Sequence, residues 1–222
     1  MIINKMSHMQ IKSAGILLIV SMGIMLFSFK ERHANPDRVV ILQPFDDFSP
    51  ALANVVYKQI RILHPQTILK KPIGFPNGSY YRARGRYRAD SIIHYLNRFG
   101  NSDTVIIGLT GKDISTTKGN IKDWGVMGLG YCPGNACVVS AFRLKKTNLS
   151  IQFYKVAIHE LGHTQGLPHC KKKTCFMRDA EGGNHLDEET DFCVSCKSFL
   201  KRKGWIVAST ASQSLAGTLA SQ

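Results

Sequence analysis

Between His159 and Met177 the sequence reads HELGHTQGLPHCKKKTCFM, which holds three histidines, one glutamate and two cysteines within nineteen positions. His159 and His163 are four residues apart. On a helix that spacing places both imidazoles on one face, one turn apart. Ala157, Ile158 and Leu161 suit a helix here. Two neutral imidazoles suit zinc, and Glu160, next to His159, is the carboxylate that can take a proton from water at such a metal. Gly166 lets the chain leave the helix in a left-handed conformation. Pro168 stops the helix from continuing. The chain then turns, and His169 can arrive as a third ligand. Three protein ligands leave a fourth position for water, which distinguishes a catalytic zinc site from a structural one. The plain alternative is three surface histidines. The five fixed positions of H-E-x-x-H-x-x-G-x-x-H coincide by chance on the order of once in ten thousand chains.

The chain has six cysteines. Cys170 and Cys175 form a C-x4-C pair, and Cys193 and Cys196 a C-x2-C pair. Four thiolates make a closed structural zinc site. Such a site would begin directly after His169 and pin the backbone that presents it. The competing readings are two disulfides or reduced thiols, and an exported protein would favour disulfides. Cys132 and Cys137 flank a Pro-Gly-Asn turn in YCPGNACVV. They can form a local disulfide in an exported domain and stay free in a reducing compartment.

These side chains need a scaffold. The run VVILQP (39–44) reads as a buried strand ending at proline, and QTILK and TVIIGLT (104–110) as further strands. SPALANVVYKQIRIL (49–63) reads as an amphipathic helix capped by Ser49, with Pro50 in its first turn. ADSIIHYLNRFG (89–100) reads as a second helix with Ile92, Ile93, Leu96 and Phe99 inward and Gly100 as its stop. GFPNGS (74–79) is a loop, and WGVMGLG (124–130) and CVVSAFRL (137–144) are later strands. The second of these, as an edge strand, could pair with an extended peptide. A helix runs from about Leu149 to near Gly166, and a last helix over 187–203, acidic at its start and basic at its end, stops at Gly204. Strands alternating with helices, then helices alone, predict an α/β domain: one mixed twisted sheet with helices, a zinc-binding active-site helix and a C-terminal helix.

At the N-terminus, Lys5 and Lys12 precede the apolar run Ala14 to Phe29. This has the charged and apolar regions of a secretory leader, with no clean cleavage site after it. The expectation is an uncleaved anchor, so that residues 1–33 target the chain to a membrane or export it, residues 34–206 form the catalytic domain and the uncharged tail 207–222 is disordered. Flanking basic residues on both sides leave the orientation open.

The H-E-x-x-H-x-x-G-x-x-H run is the signature of metzincin zinc proteases. Its continuation through Cys170, Cys175 and Met177 to CVSC at 193–196 resembles the archaemetzincin family, as do VIIGLTGKDI and VVSAFRL upstream. The resemblance spans roughly residues 39 to 203. It implies a metallopeptidase with two zinc ions per chain. His159, His163 and His169 would hold the catalytic zinc, with Glu160 as general base. Cys170, Cys175, Cys193 and Cys196 would hold the second zinc, and Met177 would be the methionine of the turn beneath the catalytic metal. The gap from Met177 to Cys193 is slightly shorter than the family's usual spacing. The implied partner is a peptide or protein substrate, and the expected state is a monomer.

The formal net charge is +14, which favours anionic partners. YYRARGRYR (80–88) interleaves three tyrosines with four arginines, a mix that can stack bases and contact phosphates. CKKKTC adds three lysines. A zinc-containing nucleic-acid-binding or non-catalytic interaction protein is therefore the rival reading. A solvated basic face explains the same residues, and a nucleic-acid binder has no need of the histidine motif, so nucleic acid is not the expected partner.

Overall fold

The computed structural model describes residues 38–207. The expected anchor at 14–29 and all but the first residue of the expected tail lie outside the described residues. Among the described residues no helix is long and apolar enough to cross a membrane.

The main sheet forms around the most apolar segments. Strand β1 (Val39–Pro44) lies between β2 (Thr67–Leu69) and the strand over Thr104–Thr110. All three run parallel, with Ile41 opposite Ile68 on one side and Ile106 on the other. Their alternating side chains feed two cores. Val40, Leu42, Val105 and Ile107 pack on one face with helix α1 (Pro50–Leu63) and with the helix over Leu149–Thr164. Ile106, on the other face, packs with helix α2 (Ala89–Asn97) through Ile92, Ile93 and Leu96. The fold is thus a three-layer α/β domain. Each of these fully buried isoleucines and leucines contributes about 1.5–3 kcal/mol of burial.

Two short strands follow β2: β3 (Tyr80–Tyr81) and β4 (Arg86–Arg88). After α2 come β5 (Thr104–Thr110), β6 (Ile114–Lys118), β7 (Ile121–Val126), β8 (Gly128–Gly130) and β9 (Ala136–Ser140). The main sheet has the order β2-β1-β5-β9-β8, and a second sheet has the order β3-β4-β6-β7. Strand β9 runs parallel to β5, and β8 runs antiparallel to β9 as the last strand of the sheet.

The structure corrects several expectations. The segment 124–130 is not one strand: it ends β7 in one sheet and forms β8 in the other, with Met127 between them. Strand β6 was not anticipated, because ISTTK is polar along most of its length. The segment 137–144 is strand only to Ser140, and it lies inside the sheet, so the edge is β8 instead. Phe99 is exposed, since α2 ends at Asn97 and carries it past the core.

Helix α3 (Leu149–Thr164) crosses the sheet face, and Gly166, at φ +93°, turns the chain out of it. Residues 165–193 then run without regular elements apart from single bridges, Cys170 to Arg178 and Cys175 to Asp191. Helix α4 covers only Val194–Arg202, with Gly204 at φ +83° after it. The acidic stretch 187–193 is loop: Asp187 is held by Gln152 of α3, Glu188 by Arg178 and Asp191 by Lys197 of α4. Phe176, Phe192, Leu200 and Trp205 join the same core as α1 and α3, which closes the lower part of the domain.

Candidate metal centre and cleft

The three histidines converge. His163 Nε2 lies 3.0 Å from His159 Nε2 and 3.2 Å from His169 Nε2, and the ligand atoms of the three lie within 4.8 Å of one another. The opposite ring nitrogens face acceptors. His159 Nδ1 donates to the Phe176 carbonyl oxygen at 2.7 Å, and His163 Nδ1 to that of Leu167 at 2.8 Å. His169 Nδ1 lies 3.3 Å from Asp179 Oδ2. Protons fixed on Nδ1 leave Nε2 as a bare lone pair, and lone pairs brought this close repel unless a cation sits among them. A tetrahedral zinc with Zn–N near 2.0–2.1 Å spaces its nitrogens by about 3.3 Å. The observed spacing fits zinc. Burial keeps the imidazoles neutral: it pushes His159 down to about 3, helped by the neighbouring His163, and lowers His163 as well.

Glu160 is 6% exposed and sits between α3 and the edge strand. A Cβ added to Gly128 would lie 2.5 Å from Glu160 Oε1, and one at Gly130 would lie 2.9 Å from the Glu160 backbone oxygen. The two glycines of β8 therefore make the space in which the carboxyl lies. Burial raises its pKa to about 8.

Met177 is fully buried. A Cβ on Gly162 would come within 2.6 Å of Met177 Sδ, so the thioether lies against the backbone of α3 between its two histidine turns.

The four cysteines also converge. Cys170 Sγ is 3.7 Å from Cys193 Sγ, Cys175 Sγ is 3.7 Å from Cys196 Sγ, and all four sulfurs lie within 4.8 Å of one another. A disulfide needs about 2.05 Å. Tetrahedral zinc with Zn–S near 2.3 Å needs sulfurs about 3.8 Å apart. The donor set thus fits zinc and rules out the disulfide alternative in this structure. Burial raises the Cys175 thiol to about 11, and the Cys193 amide, donating to Cys175 Sγ at 3.3 Å, offsets part of that rise. The shortened gap from Met177 does not prevent this: Cys193 is the N-cap of α4 and Cys196 lies in its first turn.

The two clusters share backbone. His169 and Cys170 are adjacent, and the Cys170 amide donates to the Met177 carbonyl at 2.7 Å. Cys132 and Cys137 do not form the local disulfide considered above: both are free, Cys132 exposed and Cys137 buried in β9.

The histidines and Glu160 open into a cleft of about 730 Å³. One wall is β8 with the end of β7; the other is the segment 178–189. Sequence reasoning missed three residues of this cleft. Asp179 orients His169. Arg143 crosses Gly125 and pairs with Asp113 through Nε and Nη2 at 2.8 and 2.9 Å. Glu189 is buried in the far wall. None lies at a recognisable spacing from the motif. The glycines of WGVMGLG were a usable signal, since glycines in a strand mark a close approach.

The basic run 80–88 loses most of its free charge. Arg86 pairs with Asp113 at 2.7 Å and Asp123 at 2.9 Å, Arg84 with Asp123 at 3.5 Å, and Arg88 with Asp90 at 3.6 Å. Three of its four arginines thus serve the second sheet, which removes the main observation behind nucleic-acid binding.

The chain is similar to proteins of one known family. The model of peptidase family M54 matches residues 37–202. The archaemetzincin of Methanopyrus kandleri is 30% identical over 169 residues, covering 72% of this chain and 94% of that protein. The archaemetzincin of Haloquadratum walsbyi is 29% identical over 165 residues, 68% of this chain and 88% of that protein. The crystal structure of the Methanopyrus kandleri protein superposes with a TM-score of 0.66 at 27% identity, covering 76% of this chain and 96% of that one. A family match over most of the described domain and the same mixed α/β architecture lead to one conclusion: the chain belongs to peptidase family M54, the archaemetzincin zinc metallopeptidases.

Proposed function

We propose that the chain hydrolyses peptide bonds at the cleft, with His159, His163 and His169 holding a catalytic zinc and Glu160 acting as general base. The observation that carries this is the convergence of three Nε2 atoms on the helix turn that carries a buried carboxyl. Zinc bound there supplies a Lewis acid toward the scissile carbonyl, an acidified water and a positive charge that favours ionised Glu160. Glu160 takes the proton from the attacking water at its carboxylate and gives it to the leaving amine as the carbon–nitrogen bond breaks. An extended substrate pairs with the free edge of β8, whose other side is held by β9. Packed under α3, Met177 fixes the height of the helix backbone that carries His159 and His163.

The four cysteines hold a second, structural zinc, giving two per chain. Closed by four thiolates, that site has no open position for substrate. The segment 14–29 tethers or exports the domain, and the enzyme acts as a monomer.

The test is cleavage of a quenched-fluorescent peptide library by the full chain, with and without a zinc chelator, together with metal analysis. Glu160→Gln is expected to lower turnover by about 10²–10⁴-fold while the zinc content stays at two. Turnover retained in Glu160→Gln would refute the mechanism.

A further inference from the structure

The far wall of the cleft holds a second buried carboxylate. Glu189 is 4% exposed, lines the cleft, and its Oε2 has no hydrogen-bond partner among the described residues. Buried carboxylate oxygens are ordinarily paired, so an orphan on a residue that lines a cavity calls for a partner from outside.

The cations nearby are committed elsewhere. Lys155 Nζ donates to the carbonyl oxygens of Leu186 and Glu189 at 2.6 Å each. Arg178 Nη1 binds Glu188 Oε2 at 2.7 Å. Neither forms an ion pair with the Glu189 carboxylate. The segment that carries Glu189 is fixed to the first turns of α3: Gln152 Nε2 donates to Asp187 Oδ1 at 2.8 Å, and Gln152 Oε1 accepts from Asn184 Nδ2 at 3.1 Å. This wall is therefore preorganised rather than loose.

Val156 sits one helical turn before His159 and Glu160 on the same face of α3. It and Leu186, each 4% exposed, line the same cleft as Glu189. An apolar wall beside a buried carboxylate matches a long side chain with a methylene stem and a cationic head.

We infer that Glu189 is a specificity-determining residue, and that this part of the cleft takes a lysine or arginine side chain flanking the scissile bond. The inference rests on the peptidase reading and names the class of substrate it prefers. Burial holds the Glu189 carboxyl up at about 7 against the opposing pull of the Lys155 and Arg178 charges, and an arriving ammonium or guanidinium adds to that pull toward the ionised form.

The experiment compares peptides that carry lysine, arginine, norleucine or glutamate at each residue flanking the cleaved bond, using the full zinc-loaded chain. Lysine and norleucine differ essentially in the ammonium. The wild type is expected to favour lysine over norleucine in kcat/KM at one flanking position by roughly 10- to 100-fold, the range of one charge-assisted hydrogen bond. Glu189→Gln is expected to bring that ratio close to one. A wild-type ratio near one at every position overturns the inference, and so does a ratio that survives in Glu189→Gln. Affinities of the lysine and norleucine peptides for Glu160→Gln, read by calorimetry, provide a measurement that needs no turnover. If no peptide is cleaved, the peptidase reading falls, and equal affinities in that binding pair then overturn the inference separately.

Discussion

Replacing Gly128 by alanine tests whether β8 sets the position of the general base. The added Cβ would lie 2.5 Å from Glu160 Oε1, 2.6 Å from its Cγ and 2.8 Å from its Cδ. Three atoms of the carboxyl arm are hit at once, so rotation of the carboxylate alone does not relieve the contact. Either the arm or the strand must retreat by roughly 1 Å to reach van der Waals separation. A displacement of that size at a reacting group costs about 10²-fold in rate. Overpacking costs a further 1–3 kcal/mol of stability, a shift of several degrees in Tm for a domain of this size. The expected result is therefore a kcat about a hundredfold lower, with zinc content unchanged and the protein still folded. In a Glu160→Gln background the same substitution should add little, because no base remains to be misplaced. Activity of Gly128→Ala within threefold of wild type would refute the argument, and so would a full hundredfold additional loss in the double variant.

Three further outcomes follow from the geometry. Asp179→Ala removes the acceptor 3.3 Å from His169 Nδ1; because both side chains are about half exposed, the expected loss of zinc affinity is near the lower end of the range for such partners, about tenfold, read by competition with a chromophoric chelator. In metal-free protein, Glu160 titrates near 8 when folded and near 4.5 in the ordinary case, so the folded state binds more protons between those values. The stability this contributes is present at low pH and lost as pH rises through 8, so the Tm advantage of Glu160→Gln over wild type should grow from pH 5 to pH 8.5, and a constant difference would contradict it. Cys193→Ser opens the four-sulfur cluster and should lower the zinc count from two, reduce Tm by well over ten degrees and weaken zinc at the histidines as well. Unchanged affinity at the histidines would show that the two clusters are independent.

Much of the fold was legible wherever burial on both faces left a continuous apolar signal. Val39–Pro44 and Thr104–Thr110 are interior strands with neighbours on both sides, and their sequences are correspondingly apolar. The cap of α1 was readable too: Ser49 Oγ accepts from the Leu52 amide at 3.4 Å, and Pro50 occupies the first helical position. The second sheet was not readable. Its strands β3, β4 and β7 have no buried residue, so no alternation of polar and apolar residues marks them. Arg84 and Arg86 looked like part of a binding face because their acidic partners, Asp113 and Asp123, lie far along the chain. The acidic start of the expected last helix failed for a related reason. Asp187, Glu188 and Asp191 find their partners in Gln152, Arg178 and Lys197, and tertiary partners overrode the dipole argument.

The two candidate ligand clusters were legible because most of their residues are local in sequence. Two helical histidines, a left-handed glycine and a third histidine beyond a proline already specify a turn-by-turn path, and each step has its own backbone cause. The cysteines extend that path, since Cys170 follows His169 and bonds back to Met177. What could not be read were the groups that arrive from elsewhere: the glycines of β8 over Glu160, Asp179 behind His169, and Glu189 across the cleft. On the proposed reading the motif specifies the reaction, whereas the walls of the cleft, assembled from β8 and the segment 178–189, specify which peptide can reach it. If that division holds, substitutions at His159, Glu160 and His163 should change turnover for every peptide alike. Substitutions at Glu189 should instead reorder peptides while the zinc and its histidines stay in place.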